Sequence, residues 1–351
     1  MRTIRDAEIK DKTVLVRVDY NVPLEKGEIV SDLRILASLE TIECLLENGA
    51  KKIVLISHLG RPEGKADMDL SLSPVAERLR ELLPDQHIGF YPLPTSSEER
   101  LAEISNNKID LLENLRFDPR EEENSEEFAE ELVNFVQPDL FIQDGFAVIH
   151  RAHTSTSALP KMLDSYAGLL VEKEIESLNK AVENPEHPLV VIIGGSKVED
   201  KAPLIEKFSG IADKIIIGGK IAADGYESKD EKIYVAEDFD EDGDGNKLDV
   251  GPVSTVKIAE ILENAKTIVW NGLLGKAEDP AYATSSTVVA EILGEKRDAE
   301  TIICGGDTTG FVDEIMEEHE DLDYSLISTG GGASLEFLLG KELPGLKVLS
   351  D

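Results

Sequence analysis

The chain has 351 residues, of which 41% are hydrophobic and 30% are charged. Its 71 acidic and 36 basic residues give a formal net charge of −35 at pH 7. This composition excludes a chain that is disordered throughout, and the length favours two domains. A protein this acidic repels phosphates overall, so we expect no nucleic-acid partner.

The longest apolar runs, such as Leu189–Ile193, are far too short to cross a bilayer. Residues 1–12 are charged and contain no apolar secretory segment. The two cysteines, Cys44 and Cys304, do not imply a disulfide framework. We therefore expect a soluble, cytoplasmic protein with no membrane partner.

The acid excess predicts a dependence of stability on salt. Dense carboxylates keep a protein hydrated at high salt, but they repel one another in the compact state at low salt. We expect the melting temperature to rise as KCl is added, because the added ions screen this repulsion. A melting series in KCl tests the prediction, and a melting temperature that does not rise would contradict it.

Short β-branched segments alternate with helical patterns along most of the chain. Several of these segments are apolar throughout, as is typical of parallel strands covered on both faces. The alternation predicts an α/β fold with two lobes, each an open parallel sheet with helices on both sides. The predicted strands are residues 13–18, 52–57, 109–113, 139–143, 189–193, 214–217, 267–270, 301–304 and 324–327.

Helical patterns lie between the strands, for example at residues 31–47 and 123–136. The helical stretch at residues 166–183 is followed by two prolines, which indicates the join between the lobes. Residues 237–249 are acidic and rich in glycine, and we expect a solvated loop there.

Cationic residues follow the first four predicted strands, or open the helix after the first of them. Ligands bind beyond the carboxyl ends of parallel strands, so these residues would share one edge of the sheet. A single such arginine is more typical of a surface ion pair. Several together predict a pocket for a small, multiply anionic ligand, with Asp19 and Asn21 bonding a hydroxyl on it. The cationic residues are Arg34, His58, Arg61, Arg116, His150, Arg151 and His153.

Glycine turns follow three strands of the second half, at residues 194–197, 305–308 and 328–332. Exposed backbone amides at a helix start attract phosphate, although one such turn followed by a solvated lysine would carry little weight. Lys197 and Lys201 stand four residues apart and would share a helical face, which predicts an anion between them. Asp307 suits Mg²⁺ that bridges phosphates, and the alternative is a helix N-cap.

A cationic pocket in one half and a phosphate cradle in the other predict phosphoryl transfer between two anionic ligands. The chain lacks the motifs G-x-S-x-G, H-E-x-x-H and C-x-x-C. A catalytically silent protein that binds nucleotides or metabolites is the alternative. A nicotinamide dehydrogenase is disfavoured because no G-x-G-x-x-G motif follows the first strand.

Taken in order, these motifs resemble those of the phosphoglycerate kinases over nearly the whole chain. The matching segments are residues 17–23 (RVDYNVP), 57–62 (SHLGRP), 113–117 (ENLRF), 150–153 (HRAH), 194–201 (GGSKVEDK), 269–272 (VWNG), 305–307 (GGD) and 328–337.

The resemblance implies two Rossmann-like lobes joined by a helix and a hinge, with lobe closure that excludes water. It implies a phosphoglycerate-binding lobe at 1–162 plus the tail 341–351, a linking helix at 163–184 and a nucleotide-binding lobe at 185–340. The implied reaction is Mg²⁺-dependent phosphoryl exchange between ATP plus 3-phosphoglycerate and ADP plus 1,3-bisphosphoglycerate, in glycolysis and gluconeogenesis. We expect a monomer, with a dimer as the alternative.

The resemblance also implies roles for individual residues. The groups at the transferring phosphoryl would be Arg34, Lys197, Gly306 and Gly331. The phosphoglycerate site would comprise Asp19, Asn21, Arg34, His58, Arg61, Arg116, His150 and Arg151. In the nucleotide site, Glu278 would bind the ribose, Asp307 the magnesium nucleotide and residues 329–332 the transferring phosphate. The whole nucleotide site would comprise Gly195, Ser196, Lys197, Lys201, Gly218, Asn271, Glu278, Gly305, Gly306, Asp307, Thr308, Thr329 and Gly330.

Several departures from the family pattern fall on the nucleotide side. Leu273 replaces a proline, Lys276 and Ala277 replace a valine and a phenylalanine, and Lys220 replaces a glycine. Residues 219–249 form a shorter segment than usual, so we expect a helix and the apolar wall over adenine to be missing. The preference between ATP and GTP is therefore open.

The shortened segment contains a pattern that resembles a calcium-binding loop, from Asp238 to Asp249. Its last position is Asp instead of the usual bidentate Glu, and no helix is predicted before it. We favour a solvated acidic loop, which calorimetry with Ca²⁺ tests. Binding at sub-millimolar Ca²⁺ would contradict this interpretation.

Overall fold

The computed structural model describes residues 1–94, 100–319 and 321–349. The chain divides into two units, Met1–Lys173 with Glu342–Asp351, and Glu174–Lys341. The division falls inside one helix, Leu169–Val182, and the C-terminal segment groups with the first unit. The last two residues of the predicted tail lie outside the described residues, and the predicted functional lobes with a separate linking helix stay a prediction.

Among its described residues, the first unit contains eight strands, six of which form a parallel sheet. They are β1 (Thr13–Arg17), β2 (Leu24–Glu25), β3 (Glu28–Ile29), β4 (Lys52–Ile56), β5 (Ile88–Tyr91), β6 (Ile109–Leu112), β7 (Leu140–Gln143) and β8 (Ser165–Ala167). The sheet order is β5-β6-β4-β1-β7-β8, and β2 and β3 form a separate two-stranded hairpin. The central strands are apolar because both faces of the sheet are covered.

Helices cover the two faces of this sheet. One buried cluster contains Ile35, Ile42 and Leu45 of the first helix, and another contains Phe128 and Leu132 of the fourth. The helices assigned to this unit are α1 (Leu33–Glu47), α2 (Ser73–Leu82), α3 (Leu101–Ile104), α4 (Glu126–Val136), α5 (Leu169–Val182) and the C-terminal turn Pro344–Lys347. Helix α5 crosses the division between the units.

In the part of the second unit that the structure describes, six strands form a parallel sheet and two more form an antiparallel hairpin. Its strands are β9 (Leu189–Ile193), β10 (Lys214–Ile217), β11 (Ile233–Val235), β12 (Phe239–Glu241), β13 (Lys247–Val250), β14 (Thr267–Asn271), β15 (Glu300–Cys304) and β16 (Leu326–Ile327). The sheet order is β11-β10-β9-β14-β15-β16, and β12 pairs with β13 in the hairpin. The helices are α6 (Val198–Ser209), α7 (Gly219–Ala223), α8 (Pro252–Leu262), α9 (Thr284–Glu295), α10 (Gly306–Glu318) and α11 (Gly331–Leu338).

The predicted α/β class with two parallel sheets is confirmed. Every predicted strand is present, several of them shorter by one or two residues. The strands β5, β8 and β11, which lie at sheet edges, were not predicted. The predicted joining helix at 166–183 was wrong at its start, because Tyr166 lies in β8 and the helix begins at Leu169.

The expectation of a solvated loop at 237–249 was wrong in part. Residues Phe239–Glu241 and Lys247–Val250 pair as the antiparallel hairpin, and only its turn is exposed loop. The Asp242 carboxylate accepts hydrogen bonds from the amides of Asp244 and Asn246, both at 2.9 Å. These bonds close the turn, because Asp side chains readily bond the backbone two residues on.

Within the described residues, no helix is long and apolar enough to span a membrane.

Asp144 follows β7 and is fully buried beside the start of α5. Its Oδ1 accepts a hydrogen bond from the Leu170 amide at 3.1 Å, in the first turn of that helix. Burial raises the pKa of the Asp144 carboxyl to about 7, although hydrogen bonds from Thr41 and the helix amides oppose the shift. The folded protein therefore retains a proton on Asp144 that the unfolded chain releases near pH 4.

We expect the Asp144→Asn variant to gain stability relative to the wild type as the pH rises from about 4 to 8. Below the pKa of Asp144 in the unfolded chain, the carboxyl is protonated in both states and its burial does not destabilise the wild type. As the pH rises through about 7, the unfolded chain has already released this proton, so the wild type loses stability. The difference amounts to a few kcal/mol, since one pKa unit corresponds to about 1.4 kcal/mol. Melting temperatures of both proteins across this pH range check the prediction, and a difference independent of pH would contradict it.

Candidate active site

The first group of site residues surrounds a buried carboxylate after β1. Asp19 is 3% exposed, and the Arg34 guanidinium at the start of α1 forms an ion pair with its Oδ2. His58, which follows β4, lies with its Nδ1 3.6 Å from Asp19 Oδ1. Because β1 and β4 are paired in register, their carboxyl ends bring these side chains together.

A buried arginine that sequence reasoning missed organises this group. Arg17 is the last residue of β1 and is 1% exposed. Its Nη2 lies 3.1 Å from His58 Nδ1, and its Nε donates to Ser155 Oγ at 2.8 Å. Since a guanidinium can only donate, His58 Nδ1 accepts and the imidazole proton lies on Nε2. The signal for Arg17 in the sequence is a charged residue at the end of an apolar strand.

Glu121 balances this arginine and is also fully buried. Its carboxylate accepts from the Ser155 amide at 3.0 Å and from the Ser155 hydroxyl at 2.5 Å. Burial raises the pKa of Glu121, and the charge of Arg17 opposes that shift. Together, Glu121, Ser155 and Arg17 form a continuous polar network behind His58, which holds the imidazole in one orientation.

Arg116 follows β6 and is 4% exposed. Its Nη1 donates to the Gly60 carbonyl at 2.7 Å, and its Nε lies 3.1 Å from a Glu122 carboxylate oxygen. The Nη2 atom is buried and has no hydrogen-bond partner within the described part of the chain. A buried donor without a partner is costly, so this nitrogen is suited to an anionic ligand.

The arginines around His58 and His153 affect the protonation of both imidazoles. Burial lowers the pKa of His58 well below its usual value, and the charges of Arg17, Arg116, Arg34 and Arg151 lower it further. Burial and the same kinds of charges lower the pKa of the nearby imidazole of His153 to about 4. These imidazoles are therefore neutral at pH 7, and the arginines carry the positive charge.

The remaining predicted residues of this unit differ in their surroundings. Arg151 donates from Nε to His150 Nε2 at 3.2 Å, so these two neighbours are held together. The side-chain Oδ1 of Asn21 accepts from the Gly60 amide at 2.8 Å, which ties the loop after β1 to the loop after β4. Arg61 is exposed, and among the described residues its guanidinium forms no hydrogen bond or ion pair.

The second unit contains a cavity of about 670 Å³ at the carboxyl ends of its strands. This volume falls in the range that holds a nucleotide-sized ligand. Five lysines line it in a chain whose net charge is −35. The predicted residues that line it are Gly195, Ser196, Lys197, Lys201, Glu278, Gly305, Gly306, Asp307 and Thr308.

One end of this cavity is built from two helix starts. The turn after β9 leads into α6 with Lys197 at its N-cap, and the turn after β15 leads into α10 with Gly305 at its N-cap. Gly305 has a φ of +99°, a conformation that side chains with Cβ rarely adopt. Asp307 is inside the first turn of α10 and is exposed, so it is not the N-cap residue.

Lys201 lies deeper than Lys197 in this cavity. Its ammonium donates to the side-chain oxygen of Asn271, the last residue of β14. Burial lowers the pKa of Lys201, and the carboxylates of Asp200 and Asp307 oppose the shift. A half-buried ammonium held in this way favours an anion beside it.

Other predicted nucleotide residues lie behind the lining. Asn271 is buried and holds Lys201, while a Cβ added at Gly218 would lie 2.5 Å from the Leu274 side chain. The Thr329 amide and hydroxyl both donate to Glu174 Oε1, at 2.7 and 2.9 Å. Gly330 is the N-cap of α11, and Gly331 lies so close to Gly306 that an added Cβ would approach its nitrogen to 2.9 Å.

The expectation that the apolar wall over adenine is missing stays a prediction, although apolar residues do line this cavity. The apolar residues that line the cavity include Ala223, Phe239, Leu248 and Leu274. Two of them belong to the β12–β13 hairpin, which the Lys276 amide fixes by donating to the Leu248 carbonyl at 2.8 Å. The hairpin therefore supplies an apolar surface despite the shortened segment.

The family model described as phosphoglycerate kinase matches this chain at residues 4–235 and 223–341. The chain belongs to the phosphoglycerate kinase family. The phosphoglycerate kinase of Dictyoglomus turgidum is 40% identical over 400 aligned residues, which cover 99% of this chain and 98% of the relative. That of Corynebacterium aurimucosum is 40% identical over 394 residues, covering 97% of this chain and 96% of the relative.

Solved structures of the family agree with this assignment. The phosphoglycerate kinase of Pyrococcus horikoshii superposes with a TM-score of 0.85 at 28% identity, over 100% of this chain and 98% of that one. That of Coxiella burnetii gives a TM-score of 0.80 at 32% identity, over 99% and 98%. Family membership makes the chain a phosphotransferase that acts on small molecules, as the motifs predicted.

The comparisons also locate the shortening. The alignment with the Dictyoglomus relative spans 400 positions, whereas this chain has 351 residues, so the relative contains residues that this chain lacks. The two matches to the family model overlap at residues 223–235, between α7 and the end of β11. The interruption between the two matches therefore falls within residues 219–249, the segment that the sequence indicated as shortened.

Proposed function

We propose that this kinase transfers a phosphoryl group reversibly between ATP and the carboxylate of 3-phosphoglycerate. The observation that carries the proposal is the group of arginines at the carboxyl ends of the strands of the first sheet, of which Arg17 and Arg116 are buried, in a chain with net charge −35. Such guanidinium groups match phosphate and carboxylate oxygens.

In this proposal the first unit binds phosphoglycerate. The buried Nη2 of Arg116 would donate to the anionic ligand, because it has no partner among the described residues. The Nε2 proton assigned to His58 would be donated to a ligand oxygen, and Asp19 would accept from its hydroxyl. Arg61, His150, Arg151 and Asn21 would complete the site, with exposed Arg61 able to move towards the ligand.

The second unit binds the nucleotide in the lysine-lined cavity. Lys201, Ser196 and the amides of Gly195, Gly305 and Gly306 would hold its phosphates, since helix starts favour anions. Glu278 would accept a hydrogen bond from the ribose. Asn271 would position Lys201. The shape of the cavity would depend on Thr308 in its lining and on three residues behind the lining, Thr329, Gly330 and Gly218.

The donor set of this cavity is compatible with Mg²⁺ held through nucleotide phosphates. The exposed carboxylate of Asp307 lines the cavity, and no cluster of three or more metal-ligating side chains occurs in the described ranges. Mg²⁺ is commonly held by one or two carboxylates plus phosphate oxygens. When bound, it would neutralise charge on the nucleotide phosphates.

The transfer itself needs no nucleophilic side chain, because the substrate carboxylate is the acceptor. The bond between the γ-phosphorus and the β-γ bridging oxygen breaks while a carboxylate oxygen forms the new bond to phosphorus. Arg34 and Lys197 would stabilise the negative charge on the phosphoryl oxygens, and the amides of Gly306 and Gly331 would add to this.

An assay with ATP, 3-phosphoglycerate and Mg²⁺, coupled to consumption of 1,3-bisphosphoglycerate, tests the function. We expect turnover that requires all three components. The absence of turnover in wild-type protein that binds ADP would favour the silent nucleotide-binding relative. Size-exclusion chromatography with light scattering tests the expected monomer against a dimer, and localisation in intact cells tests the expected cytoplasmic location.

A further inference from the structure

The outer end of the cavity carries a lysine to which none of the roles above applies. Lys247 opens β13 and lines the cavity next to Leu248. Its ammonium lies 4.6 Å from the centroid of the Phe239 ring, within the range of a cation–π contact. Phe239 and Leu248 give this lining an apolar surface, which would take the nucleobase under the proposed function.

The hairpin contains a bulge where three consecutive residues, Lys247, Leu248 and Asp249, line the cavity. Asp240 pairs with Asp249, whereas Glu241 pairs with Lys247, so Leu248 is the extra residue of β13. In a regular strand, neighbouring side chains point to opposite faces, but a bulge redirects one of them. Lys247 and Leu248 therefore both face the ligand space, one with a charge and the other with an apolar surface.

Several acceptors in the lining of the cavity are already engaged. The Leu248 carbonyl accepts from the Lys276 amide at 2.8 Å, and the Leu273 carbonyl accepts from the Gly195 amide at 2.9 Å. The Asp249 carboxylate is buried and is occupied by the amide and hydroxyl of Ser285. These acceptors are already engaged, whereas the Lys247 ammonium has three protons to donate.

Lys220 also lines this part of the cavity, but its charge is partly engaged. Its Nζ lies 3.0 Å from Asp224 Oδ1, one turn along the chain. Lys247 therefore differs from Lys220 in that an aromatic ring, and not a carboxylate, faces its ammonium.

From this arrangement we infer that Lys247 determines base preference and favours a purine with a carbonyl oxygen at position 6. Guanine and hypoxanthine offer that acceptor, whereas adenine presents an amino donor that the ammonium cannot pair with. The inference rests on the proposed function, because it requires the base to occupy the apolar end of the cavity. A charged donor that meets a carbonyl discriminates strongly against a ligand that lacks it.

Calorimetric titration with GDP, IDP and ADP in the presence of Mg²⁺ tests the inference directly. We expect the wild type to bind GDP and IDP about tenfold more tightly than ADP, since a hydrogen bond from a charged donor is stronger than one between neutral groups. IDP lacks the 2-amino group of GDP, so similar affinities for the two would assign the preference to the 6-carbonyl.

The variant Lys247→Met should lose this preference by weakening GDP and IDP about tenfold while leaving ADP within about twofold. Lys247→Arg keeps a charged donor and should retain the preference. Lys229→Met is the matched control, because Lys229 is exposed and does not line the cavity. Melting temperatures check that the variants are folded.

Equal binding of the three nucleotides by the wild type, or an unchanged preference in Lys247→Met, would overturn the role of Lys247. These outcomes concern binding alone, so they are separate from the coupled assay. Binding with the expected preference but without turnover of 3-phosphoglycerate would instead overturn the proposed function.

Discussion

Replacing Arg34 by alanine is expected to lower kcat by about a thousandfold and to change the KM for 3-phosphoglycerate much less. A positive charge that acts mainly on the transferring phosphoryl group contributes to the transition state more than to ground-state binding. Loss of a charged group of this kind costs about 10²–10⁵ in rate. Initial rates at saturating ATP across a range of 3-phosphoglycerate concentrations measure both constants.

The environment of Arg34 requires a stability control. Its partner Asp19 has a side chain that is 2% exposed, so the alanine variant leaves a buried carboxylate without its arginine. Arg34→Lys keeps the charge but loses the forked geometry, and we expect an intermediate kcat. Arg80→Ala is the matched control, because Arg80 pairs with exposed Glu77 on α2. A changed KM with an intact kcat would make Arg34 a binding residue only.

Replacing Lys197 by alanine is expected to lower kcat by about a hundredfold or more. Lys197 is exposed, lines the cavity and occupies the N-cap position of α6, where the partial positive charge of the helix adds to its own. The KM for ATP should rise less, because Lys201 and the glycine amides remain to hold the nucleotide. Coupled assays at varied ATP and fixed 3-phosphoglycerate measure the two effects.

Lys207→Ala serves as the control for Lys197, since Lys207 is an exposed lysine in the last turn of the same helix and lies outside the cavity lining. We expect wild-type rates from this variant. Lys201→Ala should instead raise the KM for ATP, because Lys201 is half-buried and fixed by Asn271. Equal, negligible rates in the wild type and Lys197→Ala would favour a silent relative.

The sequence predicted the central strands well and the edge strands poorly. Central strands such as Leu189–Ile193 are apolar at every position, because both faces of the sheet are covered. The edge strand Ser165–Ala167 contains no such run, and it forms only because it pairs with Phe141–Gln143. That pairing joins residues distant in the chain, which local patterns do not reveal.

The hairpin at Phe239–Val250 shows the same limit. Its acidic and glycine-rich turn indicated a solvated loop, and the turn is indeed exposed. Whether the flanking residues would face solvent or a cavity depended on the bulge that places Lys247 and Leu248 together. A bulge depends on the pairing register, which the local composition of either strand does not define.

By itself, the sequence determined which residues carry charge and at which strand ends they stand, and the motif order determined the family. Only the tertiary structure decided that Arg17 and Glu121 lie buried behind His58, that Thr329 bonds Glu174, and that Phe239 faces a cavity. The physical reason is that motifs follow from short-range geometry at strand ends and helix starts. Burial and partner choice instead arise from contacts between segments far apart in the chain.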